Sequence, residues 1–207
     1  MGGGIILRNY RVPTLTIAGS DSSGGAGIQA DLKTFSAIGT YGMSVITAVT
    51  AQNTEGVFAV EELSGEIIKS QIKAIFDDIE PAAVKIGMVS SPEIIVDIVN
   101  TMKKYNPSFL VVDPVMISKS GYSLLKSEAK ENLIKYLIPM AYLVTPNVPE
   151  AEEITGIKIN SVTDMKVAGK KIFELGPKFV LVKGGHLDGE AVDVLIGENI
   201  FEVFETK

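Results

Sequence analysis

The chain has no cysteine and a single histidine, His186. The first absence excludes disulfides, thiolate catalysis and thiolate-bound zinc. The second excludes multi-histidine metal sites and leaves one candidate base for a Ser-His-Asp triad. No apolar run approaches the ~20 residues needed to span a bilayer. The opening Met1-Gly2-Gly3-Gly4-Ile5-Ile6-Leu7-Arg8 lacks a signal-peptide cleavage site, and Ile6 stands where a myristoylation start wants Ser or Thr. A cytoplasmic protein with a flexible lead-in over residues 1–13 is expected. Basic residues do not cluster, the longest runs being the pairs Lys103-Lys104 and Lys170-Lys171, and 19 Lys and Arg against 25 Asp and Glu leave a net charge of −6. Neither nucleic acid nor a membrane surface is therefore an expected partner. An anionic substrate stays open if a local site supplies backbone N–H groups and one or two cations.

With 207 residues, 46% of them hydrophobic, the chain can bury one real core. Its 20 glycines and 9 prolines suit a fold punctuated by loops. Short β-branched runs alternate with amphipathic patterns. Residues 14–18, 45–50, 57–60, 84–88, 109–112, 142–145 and 179–183 read as strands. Between them Ile28, Leu32 and Phe35 recur at helical spacing and end at Gly39; Ile68, Ile72, Ile75 and Phe76 do so after Ser64. Ser91-Pro92-Glu93 reads as a capped start for a helix burying Ile94, Ile95, Ile98 and Met102. Further helices are predicted near 128–137 and from Ser161, the latter carrying Met165, Ala168, Ile172 and Leu175. Residues 192–196 and 200–204 close the chain as a hairpin about Gly197-Glu198-Asn199. Repeated strand–helix–strand units predict an α/β fold with a mostly parallel central sheet and helices on both faces. Ligands of such sheets bind at the carboxyl ends of the strands.

Polar clusters fall at those ends. Gly19-Ser20-Asp21-Ser22-Ser23-Gly24-Gly25-Ala26-Gly27 leaves a strand and enters a helix. Glycine there permits close backbone approach to a ligand or simply a tight turn. It is neither a G-x-x-x-x-G-K-[ST] loop nor a G-x-G-x-x-G fingerprint. Asp31 follows on the helix, either solvated or turned to a ligand. Gln52 ends the next strand; its amide could sit in a turn or offer a donor and an acceptor on one face, which suits an aminopyrimidine edge.

Residues 18–35 of this chain, Ala-Gly-Ser-Asp-Ser-Ser-Gly-Gly-Ala-Gly-Ile-Gln-Ala-Asp-Leu-Lys-Thr-Phe, closely resemble the opening of the hydroxymethylpyrimidine kinase / hydroxymethylpyrimidine phosphate kinase family of the ribokinase-like superfamily, which makes the pyrimidine half of thiamine. Residues 44–53, Lys85-Ile86-Gly87-Met88, Asp113-Pro114-Val115-Met116, Thr145-Pro146-Asn147-Val148-Pro149-Glu150-Ala151-Glu152 and Lys183-Gly184-Gly185-His186 match it in order, so the resemblance runs over about residues 14 to 204. It implies that Gly19, Asp31, Gln52, Met88 and Val115 line a pyrimidine pocket, with Asp31 at the hydroxymethyl end and Gln52 at the aminopyrimidine edge. It implies further that Asn147 and Glu150 support Mg²⁺ and the phosphates indirectly, that Asp113 lies on the phosphate side and that Lys183 lies toward ATP. His186 is as readily a loop residue. The resemblance also suggests a homodimer.

Family members carry a later Gly-Thr-Gly segment whose N–H groups hold the transferring phosphate, followed by a Cys or Asp base. Neither occurs in residues 1–207. No catalytic base is therefore expected within these residues; base and anion hole are expected beyond Lys207. Residues 14–207 are expected to form one ribokinase-like domain incomplete at its C-terminus, and this stretch alone is expected to be inactive. The expected activity is ATP-dependent phosphorylation of 4-amino-5-hydroxymethyl-2-methylpyrimidine and then of its monophosphate. The alternatives are a pyridoxal/pyridoxine kinase of the same superfamily and, for a chain that stops at Lys207, a non-catalytic ligand-binding module.

Overall fold

The computed structural model describes residues 12–116, 127–185 and 191–206. His186, Lys207 and residues 1–11 of the lead-in lie outside them. The expectation attached to Lys207, a base and anion hole supplied beyond it, therefore also falls outside the described residues. The elements run β1 (Pro13–Asp21), α1 (Gly27–Ala37), β2 (Tyr41–Gln52), β3 (Val57–Glu62), α2 (Gly65–Phe76), β4 (Ala83–Ile86), α3 (Pro92–Tyr105), β5 (Leu110–Val112), α4 (Ser127–Asn132), β6 (Leu143–Val144), α5 (Val148–Thr155), α6 (Val162–Phe173), β7 (Phe179–Lys183), β8 (Ala191–Gly197) and β9 (Phe201–Thr206). After α4 the chain continues through one wide turn, Leu133–Leu137, and a tight one, Ile138–Met140.

The strands form one sheet in the order β3-β2-β1-β4-β5-β6-β7-β8-β9. From β2 to β7 neighbours are parallel; β3 and the β8–β9 hairpin are antiparallel additions at the two edges. The α1 connection runs back from β1 to β2, whereas α3, α4 and the α5–α6 pair run toward β7. Right-handed crossovers put α1 on one face and the others on the opposite face. The helices of the second face cover a continuous core in which Leu15, Ile17, Ile68, Ile72, Val84, Ile86, Ile95, Ile98, Val112, Val144, Val180 and Val182 are buried. Strand residues of alternate parity, Lys85, Val111, Leu143 and Leu181, stay half-buried, as period-two side chains on the more thinly covered face must.

The local signals explain the element ends. Ser64, Ser91 and Ser161 each accept a backbone N–H as N-caps, from Ile67, Ile94 and Asp164. Asn106 closes α3 in the left-handed region, and Gly156 does so for α5. The stripe expected on α3 is buried throughout. That on α1 is not, because only Ile28 of its three apolar residues is buried. Helix α5 is an addition to the elements read from the sequence. Its start is readable, since Asn147 and Glu150 have the spacing of a capping box and Pro149 stands in the first turn. No described helix is long and apolar enough to cross a membrane.

Candidate active site

The glycine-rich loop grows out of a register shift. Between Ala18 and Ser20 the β1–β2 ladder skips a residue, so Gly19 sits at an irregularity. A Cβ on Gly19 would lie 2.5 Å from the Met88 Cε, so a larger residue there would push the flexible end of the Met88 side chain aside. The loop then folds back over the strand end. At Gly27, φ is +57° and a Cβ would overlap the Gly19 carbonyl oxygen; the left-handed turn needs a residue without one.

Asp21 holds the loop. It is 3% exposed, and its carboxylate accepts hydrogen bonds from Ser23 N–H (2.8 Å), Ser23 Oγ (2.8 Å), Gly25 N–H (3.0 Å) and Ala26 N–H (2.8 Å). Burial alone would raise its pKa, but these donors outweigh burial and hold the carboxyl below the usual carboxylate range. Gln29 reaches back from α1, accepting the Asp21 N–H and donating to Ser20 Oγ, both at 2.8 Å. Ser22 ties the loop to the end of β2, donating to the Gln52 carbonyl (2.6 Å) and accepting the Gln52 N–H (2.9 Å). The Gln52 side chain is half-buried, with Oε1 3.2 Å from the Thr50 hydroxyl; its Nε2 has no partner among the described residues.

Asp31 is placed by the face of the sheet rather than by the loop. Its carboxylate accepts Thr16 Oγ1 (2.6 Å) and pairs with Lys85 Nζ through both oxygens (2.9 and 3.1 Å). Thr16 and Lys85 are direct neighbours in the β1–β4 ladder, five residues before the end of β1 and one before the end of β4. The sequence singles out Asp31 without its partner. The available signal is a lysine inside an otherwise apolar strand. Met88 follows β4, and its carbonyl accepts the Thr47 hydroxyl (2.9 Å). Val115 follows β5 at the same edge, with its N–H donated to the Asp113 carbonyl (2.8 Å). Gly19, Gln52, Met88 and Val115 therefore rim the carboxyl ends of β1, β2, β4 and β5, with Asp31 beneath.

A charged cluster occupies the same edge at β5 to β7. Asp113 accepts Lys183 Nζ (2.9 Å) and Thr145 Oγ1 (3.1 Å). Asn147 bridges to Lys183 and caps α5, accepting the Glu150 N–H (2.9 Å) while Glu150 accepts the Asn147 N–H (2.8 Å). Glu150 is 6% exposed. Burial pushes its pKa up to about 7; the Asn147 N–H opposes the shift, the Asp113 carboxylate adds to it and Lys183 reduces it. All four residues expected on the phosphate side thus meet, with Thr145 an addition that follows from its place at the end of β6. Helix capping accounts structurally for Asn147 and for one oxygen of Glu150. The second Glu150 oxygen and Asp113 Oδ2 accept no hydrogen bond from described residues.

The described residues contain no group of three acidic or histidine side chains able to cage a metal. The two neighbouring carboxylates of Asp113 and Glu150, each with an oxygen left without a hydrogen bond from described residues, do suit Mg²⁺, which keeps waters and takes one or two carboxylates together with substrate phosphates.

A glycine-rich loop and a carboxylate–lysine cluster, both at the carboxyl edge of this mostly parallel sheet, are the arrangement of a ribokinase-like small-molecule kinase, the class of the solved structures this fold matches. The comparisons make the assignment narrower. The profile of the family described as phosphomethylpyrimidine kinase matches residues 21–207, and the chain belongs to that family. It is 48% identical over 189 residues to the hydroxymethylpyrimidine/phosphomethylpyrimidine kinase of Bacillus subtilis, covering 90% of this chain and 70% of that protein. The crystal structure of the phosphomethylpyrimidine kinase of Clostridium difficile 630 superposes with a TM-score of 0.89 at 77% identity, covering 95% of this chain and 85% of the other. Pyridoxal kinase from Staphylococcus aureus, solved with AMP-PCP and pyridoxal, superposes with a TM-score of 0.86 at 38% identity, covering 95% and 72%.

Proposed function

We propose that this kinase uses ATP to phosphorylate the hydroxymethyl group of 4-amino-5-hydroxymethyl-2-methylpyrimidine and then extends the monophosphate to the diphosphate, within thiamine diphosphate biosynthesis. The observation that carries the reading is the half-buried Gln52 amide at the end of β2, its Nε2 without a partner among the described residues, on the same sheet edge as Gly19, Met88 and the Asp113–Lys183–Glu150 cluster. The Gln52 amide offers its Nε2 donor to a ring nitrogen and its Oε1 acceptor to an exocyclic amine. Asp31 takes the hydroxymethyl end.

Phosphoryl transfer is mostly positioning and charge neutralisation. Lys183 is placed to draw in nucleotide phosphates, with Asp113 fixing its ammonium. Asp113 and Glu150, directly or through water, would hold Mg²⁺, which when bound screens the phosphate oxygens. The Asn147–Glu150 cap keeps the second carboxylate at the β6 end while α5 anchors it. In this reading the residues named here bind and orient the two substrates. A kinase drawing on ATP in this way works in the cytoplasm.

The reading against pyridoxal kinase rests on Gln52, because a pyridoxal ring lacks the exocyclic amine. Gln52→Leu keeps the volume and leaves the polar edge of the pyrimidine unpaired, at roughly 1–3 kcal/mol for each group. Calorimetric titration should show binding of the hydroxymethylpyrimidine weakened at least about tenfold, with pyridoxal affected less. Equal losses for the two ligands would remove Gln52 from the recognition edge and the pyrimidine preference with it.

We also propose a homodimer. The β2–β3 ribbon at the sheet edge leaves Val49 and Phe58 exposed, Phe58 by 67%, and a ribbon of this kind is ready to pair with its copy. Sedimentation should give a dimer for the wild type and a monomer for Phe58→Asp. A wild type that sediments as a monomer at tens of micromolar would refute the dimer.

A further inference from the structure

Lys85 has no part in the function proposed above, yet the fold makes room for it. It lies in β4 between the fully buried Val84 and Ile86. Its ammonium meets both oxygens of Asp31, at 2.9 and 3.1 Å, and the two side chains are 23% and 18% exposed. The Thr16 hydroxyl completes the group at 2.6 Å from Asp31. Two residues further on the same strand face, a Cβ at Gly87 would lie 2.9 Å from the Lys85 Nζ and 3.1 Å from the Ala18 Cβ. Gly87 therefore leaves the volume that the ammonium fills.

We infer that Lys85 is a specificity-determining residue: it cancels the charge of Asp31 at the hydroxymethyl end of the pocket, so that one pocket accepts both a neutral alcohol and the phosphate monoester made from it. The inference rests on the substrate reading above. An uncompensated carboxylate would serve the first substrate well, since it accepts a hydroxyl hydrogen bond. It would repel the second, which is a dianion above pH 7 at the same position. Removing one partner of a part-buried ion pair leaves the other charge in force. At about 6 Å and an effective dielectric constant of about 20, each unit of like charge weakens binding on the order of a hundredfold before screening. The paired group is neutral as a whole while Thr16 and Lys85 keep Asp31 in one orientation.

The test is calorimetric titration of the nucleotide-free protein at pH 8 with the hydroxymethylpyrimidine and with its monophosphate. Lys85→Met should weaken the monophosphate at least about thirtyfold and the alcohol about fivefold or less. Lys85→Arg should retain both. Adding Asp31→Asn to Lys85→Met should bring the monophosphate back to within about fivefold of wild type, because the pair is again neutral. Asp31→Asn alone leaves a net positive charge and should tighten the monophosphate about tenfold while weakening the alcohol; this arm decides the matter even if Lys85→Met melts without cooperativity. Equal losses for the two ligands in Lys85→Met, or no tightening of the monophosphate in Asp31→Asn, would overturn the inference. A wild type that binds the alcohol and its phosphate, with either of those outcomes, refutes the role of Lys85 alone. A wild type that binds neither refutes the substrate reading, and this inference falls with it.

Discussion

Asp21→Ala is expected to cost about 2–4 kcal/mol and to lower the melting temperature by roughly 5–10 °C. The carboxylate is the acceptor for three loop N–H groups and the Ser23 hydroxyl. Alanine leaves all of them to water. The neighbouring bonds from Ser22 and Gln29 cannot replace it, because they fix only the ends of the loop. Asp21→Asn should be nearly as damaging. It keeps one acceptor oxygen for Ser23 but presents an NH₂ group to the N–H donors of Gly25 or Ala26. The carboxyl is held below its usual range, so its contribution is present above the unfolded-state pKa near 4 and is lost as pH falls through the lower folded value. Asp21→Ala should therefore flatten the acid limb of the stability curve, followed by urea denaturation between pH 2 and 7. A melting temperature within 1 °C of wild type (about 0.3 kcal/mol for a chain of this size) would show that the loop is held by something other than Asp21.

Glu150→Gln should act in the opposite direction. A buried carboxyl with a pKa of about 7 is protonated in the folded protein where the unfolded chain, near 4.5, has already released its proton. The folded state then binds the extra proton, so stability is fully present below about pH 4.5 and falls as pH rises through about 7. The cost on the alkaline side is about 3 kcal/mol. Glutamine keeps the oxygen that accepts the Asn147 N–H and carries no charge. Without divalent cation or nucleotide, it should raise stability by up to that amount at pH 8 and change little at pH 4. Glu150→Ala also sheds the buried charge but loses the reciprocal half of the cap, so it should lie about 1 kcal/mol below Glu150→Gln at both pH values. A pH-independent difference between wild type and Glu150→Gln would mean that the carboxyl is not buried in its charged form. The gain in stability should come with weaker magnesium-dependent nucleotide binding, because the ionised carboxylate is what a cation at this edge requires. A strained charge kept at a functional edge is the usual cost of activity to stability.

Asp21 is legible in the sequence as part of the glycine-rich loop, since a short polar residue with serines and glycines after it is a recognisable turn former. That it serves four donors at once depends on the loop folding back over Gly19, which no local pattern records. The spacing of Asn147 and Glu150 carries two meanings at once, a phosphate-side pair by resemblance and a capping box by local chemistry, and the structure shows the second in full. The raised pKa of Glu150 is not legible at all, because it depends on burial and on charges brought in from β5 and β7, 37 and 33 residues away in sequence.

The order of strands and helices other than α5, the serine caps, the α3 stripe and the closing hairpin were determined by the sequence alone, since each depends on hydrophobic period and on residues within one turn of one another. The family was equally determined by it, because the loop from Ala18 to Phe35 is contiguous. Tertiary structure alone decided the sheet order, with β1 between β2 and β4, and with it the meeting of Thr16, Asp31 and Lys85. Asp31 and Lys85 are 54 residues apart, on a helix and a strand that touch only because the α1 crossover returns over that face of the sheet. An ion pair across such a distance follows from which strands become neighbours, and that choice is made by burial of the whole core rather than by any segment of the chain.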